Sequence, residues 1–597
     1  MDGRVRAGLN VLVAAALALA APAGAATFTV NSTADAVDAS PGDGTCATAG
    51  GVCTLRAAIQ EANALAGADA IALPAGTFFL TLAGPGEDAA ATGDLDITQA
   101  LEITGAGQDE TIIDGIAADR VFHVPAAGPA LTLRRLTVRN GDAGPEPGGG
   151  LFHVGGGAVT LDEVRFYNNR SDAGGGVAKG ANGAFTILAS RFDDNFASNG
   201  GGAVAHEGGA ATLDVRDSTF ERNVTIDASA NGGGLITVGT GAVSVVNSTF
   251  RDNFSAKAGG LGVVNAAQAT IDGCTFEHNR AVAGMSIGGG IGTEGVGALT
   301  VRNTVIRNNV AHAGGAGMVA WVADSLTITG SSIDDNYSVS AIGGLYVVVG
   351  GAGAAVIEDT AFRRNVAASA VAGGLYITSS GAVTLARIVV EDNQSFAGAG
   401  GGQITATGDV TVTGARFSRN TTFASPGGGL IAGSGGTLTV SDSLFDDNYA
   451  STGGGAHLIG DAIRVTGTTF ARNVASSASG VGGGVVLSGP TATIENATFS
   501  GNVAAQIGAA IYNVSPALSV SSSTFVGNAA GDSGSAIFGA GPGITWRGTV
   551  IAGGVGPACA PAAPTSGGDN VDQDGSCGLA GPRDRSGLDP QLGPLQD

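Results

Sequence analysis

Three pairs of adjacent carboxylates, Asp193-Asp194, Asp334-Asp335 and Asp446-Asp447, are the residues best suited to acid–base chemistry. Glycoside hydrolysis needs two opposed carboxyl groups, and polyuronide elimination needs clustered carboxylates for Ca²⁺ with an Arg or Lys as base. Near the C-terminus, Asn570, Asp572 and Asp574 have the N-x-D-x-D-G spacing of a calcium loop, without its bidentate Glu. They are the candidate metal ligands and Ca²⁺ the candidate cofactor, against a default of a solvated loop pinned by Cys577. The six histidines (123, 153, 206, 278, 312 and 457) keep no metal-ligand spacing and are expected at the surface or in turns. Tyr346 of GGLYV and Tyr376 of GGLYI, with Gln403 of GGQIT next, occupy one repeated place and form a candidate sugar-binding platform. Phe196, Phe254, Tyr337 and Tyr449 are further candidate platforms.

These residues recur because the chain recurs. FDDNYASTGGGAHL (445–458) has close copies at 191–204, 361–377 and 469–486. Aligned on its asparagine, the phrase gives Asn169, Asn195, Asn223, Asn253, Asn279, Asn309, Asn336, Asn365, Asn393, Asn420, Asn448, Asn473, Asn502 and Asn528, at intervals of 25 to 30 residues. Asn140 is read as a fifteenth member. Period-two alternation, as in Val159/Leu161 and Val164/Phe166, marks short half-buried strands. A unit this short has no room for a helix beside two or three strands, and propeller blades need ~40 residues. One coil of a parallel β-solenoid remains.

In such a stack each side chain sits on its counterpart about 4.8 Å away. Asparagine amides then satisfy one another, and the phenylalanines three residues earlier (Phe166, Phe192, Phe220, Phe250, Phe276, Phe362, Phe417, Phe445, Phe470, Phe499, Phe525) form an interior pile. The two residues before each asparagine alternate in charge, Asp334-Asp335 being followed by Arg363-Arg364 and then Glu391-Asp392. That is an exposed ladder of opposite charges, and it accounts for the acidic pairs without catalysis. Thr54–Leu65 places Leu55, Ala58, Ile59, Ala62 and Leu65 on one helical face behind an N-cap at Thr54, where a solenoid end needs a cap. The expected organisation is a signal peptide at 1–25, an N-terminal cap at 26–70, a β-helix of 16–18 coils at 71–555 and an irregular capping tail at 556–597.

Composition agrees. The 103 glycines are more than twice the usual share of ~7%, while 44% of the chain is hydrophobic, which excludes disorder. A net charge of −23 excludes nucleic acid and anionic membranes as partners. Arg4 and Arg6, the apolar run at 11–21 and Ala23-Gly24-Ala25 form a secretory signal, and no later run is long enough for a membrane helix. In the oxidising compartment this implies, Cys46 with Cys53 and Cys559 with Cys577 are each close enough for a short disulfide loop, leaving Cys274 as a small buried hydrophobe.

Cys53 to Asn63 (CTLRAAIQEAN), with Cys46 upstream, resembles the signature of the CSLREA-domain family, departing at Thr54 and at Ala57. The tail at 570–595 resembles the closing segment of choice-of-anchor Q proteins, and the FxxN…GG phrase is similar to the repeat of polymorphic outer-membrane proteins. The resemblance implies a right-handed, pectate-lyase-like parallel β-helix exported to the cell surface or medium, and it brings no catalytic residues. The function expected is non-catalytic adhesion to glycan or a surface protein along the lateral face. The alternative is a polysaccharide lyase or glycoside hydrolase, distinguished by three carboxylates converging with an Arg or Lys in one groove.

Overall fold

The computed structural model describes residues 24–593 apart from 126–127, 230, 284–286, 370 and 540–542. The expected signal peptide lies, up to residue 23, outside the described residues. The chain winds into a right-handed parallel β-solenoid of about 17 turns. A representative coil has four strands, Leu345–Val349, Ala355–Glu358, Ala361–Arg363 and Val366–Ala367. Each pairs in parallel with its counterpart one coil on, so that Tyr346 lies over Tyr376 and Phe362 over Val390. We call the lateral faces built from these strands I to IV. Face IV is a separate sheet of 14 very short strands.

Two corners shape every coil. Between faces III and IV one residue takes a left-handed conformation, among them Asp335, Arg364, Asp392 and Arg419, with φ of 52 to 57°. The next residue is the ladder asparagine, which the turn directs inward. Each rung has the same bonds. Asn336 Nδ2 donates to Asn365 Oδ1 at 3.0 Å and to Ile306 O at 3.0 Å, and Asn365 Oδ1 also accepts Asn336 N at 3.1 Å. Both amide hydrogens are used, so a fully buried column carries no unmet polar demand. The ladder runs from Asn169 to Asn528. Asn140 is not a rung: it occupies the left-handed corner, beside Asn168, and Gly141 fills the rung. Matching letters put Asn140 in the column; matching backbone conformation removes it.

The second corner, between faces II and III, carries a column not expected from the sequence. A left-handed residue (Asn247, Asn303, Asp359) precedes a buried Ser, Thr or Cys. Ser190 N donates to Ser218 Oγ and Ser218 N to Ser248 Oγ, both at 3.1 Å, while each hydroxyl donates to the carbonyl two residues before it. Cys274 belongs to this column.

Phe166 to Phe276 and Phe417 to Phe525 stack with centroids 4.5–5.3 Å apart, and Ile306, Ile333, Phe362 and Val390 fill the places between. The glycine run returns the chain from face IV to face I. In Gly427-Gly428-Gly429 the first has φ +72°, and a Cβ on the second would lie 2.3 Å from Gly454 O.

The helix spans Leu55–Ala64, with Thr54 accepting from Ala57 N as its N-cap. Disulfides join Cys46 to Cys53 and Cys559 to Cys577. The expected tail begins as a further coil, in which Cys559–Pro561, Thr565–Ser566 and Val571–Asp572 extend faces I, II and III; beyond Asp572 the described strand is Arg585–Ser586.

Candidate functional site

Strand register threads one outward column along face I: Asp96, His123, Phe152, Ala178, Ala205 and Ile236, then after Gly262, Gly292 and Val319, Tyr346, Tyr376 and Gln403. The column continues through Ile431, His457 and Val486, and its middle and N-terminal end differ in chemistry.

In the middle, the Tyr346 and Tyr376 rings meet edge-on at 5.5 Å, and Trp321 stands at right angles to Tyr346 at 6.4 Å. All three are half-buried, as is Gln403 beyond them. The strands hold them because residues two apart share a face and equivalent residues stack across coils. Trp321 Nε1 is buried with no hydrogen-bond acceptor among the described residues. Burial, and then Tyr376, push the Tyr346 phenol above its ordinary value, so it stays a neutral donor. The side chains of this face are Val319, Val348, Thr378 and Thr405, and the charged groups of the adjoining turns, Asp324 and Asp409, are acidic. Trp321 was not anticipated from sequence. The available signal was its position two residues from Val319, which pairs with Tyr346.

The N-terminal end is polar. Asp96 Oδ1 lies 2.9 Å from His123 Nδ1, and Asp88 Oδ1 lies 3.5 Å from the same nitrogen. These three bring their ligand atoms within 4.8 Å of one another and are, among the described residues, the group able to hold a divalent cation. Arg120 Nε lies 2.8 Å from Asp94 Oδ2, and its guanidinium covers Phe152, on which His123 also stacks. Burial, then the neighbouring Asp96 and Asp119, raise the Asp94 carboxyl to about 7. The helix builds this corner. Arg56 donates to the carbonyls of Ala90, Gly93 and Asp94, Gln60 to that of Ala90, and Asn63 to that of Asp96. Above Phe152 lies a largely apolar cavity of about 250 Å³ bounded by Pro147, Ala178, Lys179, Ala205 and Glu207.

Two of the histidines depart from expectation, while His278 and His312 are exposed as expected. His153 and His206 are not at the surface: with Lys179 between them they form an inward column on three successive coils, each at most 2% exposed. Lys179 Nζ donates to Gly155 O at 2.9 Å and Gly180 O at 2.6 Å, and burial lowers it to about 8. Burial, then Lys179, lower His206 to about 4.

The acidic pairs do not meet one another. Asp194, Asp335 and Asp447 each hold an arginine of the next coil (Arg222, Arg364, Arg472) through two oxygens. At the C-terminus, Asn570 is fully buried; its oxygen accepts Thr549 N and its amide donates to Asp584. It therefore extends the hydroxyl column, its oxygen engaged by the Thr549 N–H of the coil before. Asp572 and Asp574 are bound to Cys577 N and to Ala558 N, and burial raises Asp572 to about 6.

A family profile described as a right-handed β-helix region matches residues 233–417. Among curated proteins none matches. The solved structures to which the chain is similar include the A-module of the mannuronan C-5 epimerase AlgE6 of Azotobacter vinelandii, at 14% identity over 85% of this chain and 94% of that one, with a TM-score of 0.16. They also include the PL6-family alginate lyase AlyGC, at 10% identity over 89% and 96%, with a TM-score of 0.21. By fold, the chain is a right-handed parallel β-helix protein.

Proposed function

We propose that the protein is exported and binds an extended, neutral glycan along face I, centred on Trp321, Tyr346, Tyr376 and Gln403, without cleaving it. The observation that carries this reading is the half-buried cluster of Trp321, Tyr346 and Tyr376, whose rings meet edge-on across successive coils of face I. The exposed parts of these rings supply apolar surface for sugar faces, while the phenols and Gln403 supply hydrogen bonds to sugar hydroxyls. Neutrality follows from the surroundings: no Lys or Arg belongs to this patch, and Asp324 and Asp409 repel uronates. The two disulfides support an extracellular setting.

A second reading, polysaccharide cleavage, rests on Asp94, Asp96 and Asp119 converging with Arg120 and His123, and on an Asp94 carboxyl that exchanges its proton near neutrality. Against it stands burial, since Asp94 and Asp96 are at most 4% exposed and engaged in holding the cap.

One titration series separates the readings. Neutral β-linked oligosaccharides are expected to bind with quenching of Trp321 fluorescence, Trp321→Ala/Tyr376→Ala to weaken binding about tenfold, and polyuronates not to bind. Unchanged affinity in the double variant defeats the face I assignment. Release of new reducing ends, abolished by Asp94→Asn, establishes the enzyme instead.

A further inference from the structure

Face IV carries an exposed, mostly apolar strip. Its outward residues on six successive coils are Tyr337, Val366, Gln394, Thr421, Tyr449 and Val474. At its centre Phe396 and Phe423 are 56% and 59% exposed, with ring centroids 6.5 Å apart. At ~4.8 Å per coil the strip is roughly 29 Å long. Beside it, the left-handed corner column reads Asp335, Arg364, Asp392, Arg419, Asp447, Arg472, strictly alternating over the same six coils. Within the chain these form three pairs, each arginine holding the aspartate one coil before it with Nε and Nη2.

An alternating run of even length is complementary to its own reversal. A two-fold axis crossing face IV between the coils of Gln394 and Thr421 sets two copies antiparallel, face to face, with corner column over corner column. Every rung then meets an opposite charge: Asp392 faces Arg419 of the second copy, Arg364 faces Asp447, and Asp335 faces Arg472. The apolar column obeys the same reversal. Phe396 meets Phe423, while the two tyrosines meet valines, Tyr337 against Val474 and Tyr449 against Val366. We propose that a second copy of this chain covers face IV, forming an isologous antiparallel dimer centred on Phe396 and Phe423. The strip is narrow, so association is weak and concentration-dependent. Face I is left free, and the proposal is independent of the glycan reading.

The test is sedimentation velocity of the mature chain from micromolar to several hundred micromolar, expected to show a monomer–dimer equilibrium. Exchanging one pair, Asp335→Arg with Arg364→Asp, keeps the intrachain ion pair but sets like charges against Arg472 and Asp447 of the second copy. Dimerisation should weaken ~10-fold or more. Adding Asp447→Arg with Arg472→Asp restores the match and should restore the dimer, a rescue that a merely structural ladder does not predict. Phe396→Ser/Phe423→Ser should leave a folded monomer. A chain monomeric at every concentration overturns the proposal, as does a dimer indifferent to the first exchange. So does a Phe396→Ser/Phe423→Ser variant that loses glycan binding but not association, which would make face IV the glycan surface.

Discussion

The solenoid has two interiors. From Met318 to Phe525 the inward positions of face I are Met, Ala, Leu, Val and Ile, apart from Ser379, Ser434, Asn513, Gly402 and Gly460, and the polar groups inside are mainly rungs of self-satisfying ladders. From Asp94 to Thr237 the same winding encloses His153, Lys179 and His206, and the capping helix buries Asp94 and Asp96 on its outer side. In the regular region a coil is stabilised by being identical to its neighbours, and any coil can template the next. At the N-terminal end partners differ in kind, and each polar group depends on one particular residue elsewhere in sequence. Repetition distributes risk; heterogeneity concentrates it.

Arginine makes the contrast measurable, because the same side chain serves in both regions. Arg56 is 1% exposed, pairs with Asp35 at 2.6 Å and donates to three carbonyls. Replacing it with Met leaves the buried Asp35 carboxylate without its counter-charge and the Gly93 and Asp94 carbonyls without their Arg56 donor, an expected loss of about 3–5 kcal/mol. Arg364 bonds Asp335 at 2.7 Å through both oxygens, yet half of it is in water, and Arg364→Met should cost less than ~1 kcal/mol. Hydrogen exchange of residues 35–98, compared with residues 335–393, reads each loss locally. Equal losses in the two variants would erase the distinction drawn between the regions.

The buried histidines sharpen it with pH. His206 falls from 6.5 unfolded to about 4 folded. As pH drops through that window the unfolded chain takes up the proton first, so stability present above 6.5 is lost toward 4. The loss amounts to roughly 3 kcal/mol. Asp94 acts in the opposite sense: raised from 3.8 to about 7, it favours the folded state on acidification over an overlapping range. His206→Leu therefore removes the His206 part of the acid lability of the N-terminal coils and leaves that of His153, which burial also lowers, and the opposing Asp94 response. Denaturation midpoints at neutral pH and near pH 4, followed in coils 150–240 and again in coils 340–530, should show the variant's effect in the first set only.

How much of this was legible depended on whether a position kept one letter. The asparagine column and the phenylalanine pile repeat a residue type at a fixed place, and they declared the solenoid. The hydroxyl column is as regular in space, but Ser, Thr and Cys alternate along it and Ile388, Ala415 and Ala497 interrupt it, so no phrase recurs. Asn140 misled for the converse reason, having the right letter at the wrong backbone conformation. His153, Lys179 and His206 stand where valine and isoleucine stand in later coils. The alternation of LFHV, VAKG and VAHE already directed them inward, but their polarity argued for the surface. The acidic corner at Asp94, Asp96 and His123 was hidden because no repeat carries it. It is assembled by Arg56, Gln60 and Asn63 from about 35 residues away in sequence.

Cys274 offers the finest test, since it sits inside the regular region at a column read only from geometry. Its sulfur accepts Ser248 N at 3.5 Å and donates to Asp272 O at 3.4 Å, while its own N–H donates to Thr304 Oγ1. Burial holds the thiol neutral, raised to about 11. One column position earlier, Ser248 makes the same contacts through oxygen at 3.1 and 2.9 Å. Cys274→Ser should therefore change stability by less than ~0.5 kcal/mol, the lost apolar sulfur being offset by stronger hydrogen bonds. Cys274→Val keeps the volume but strands the Ser248 N–H, at a cost of about 1–3 kcal/mol. If valine proves the better tolerated in urea denaturation, the column is a packing row and not a hydrogen-bonded ladder. The second corner would then stand on its left-handed residues alone.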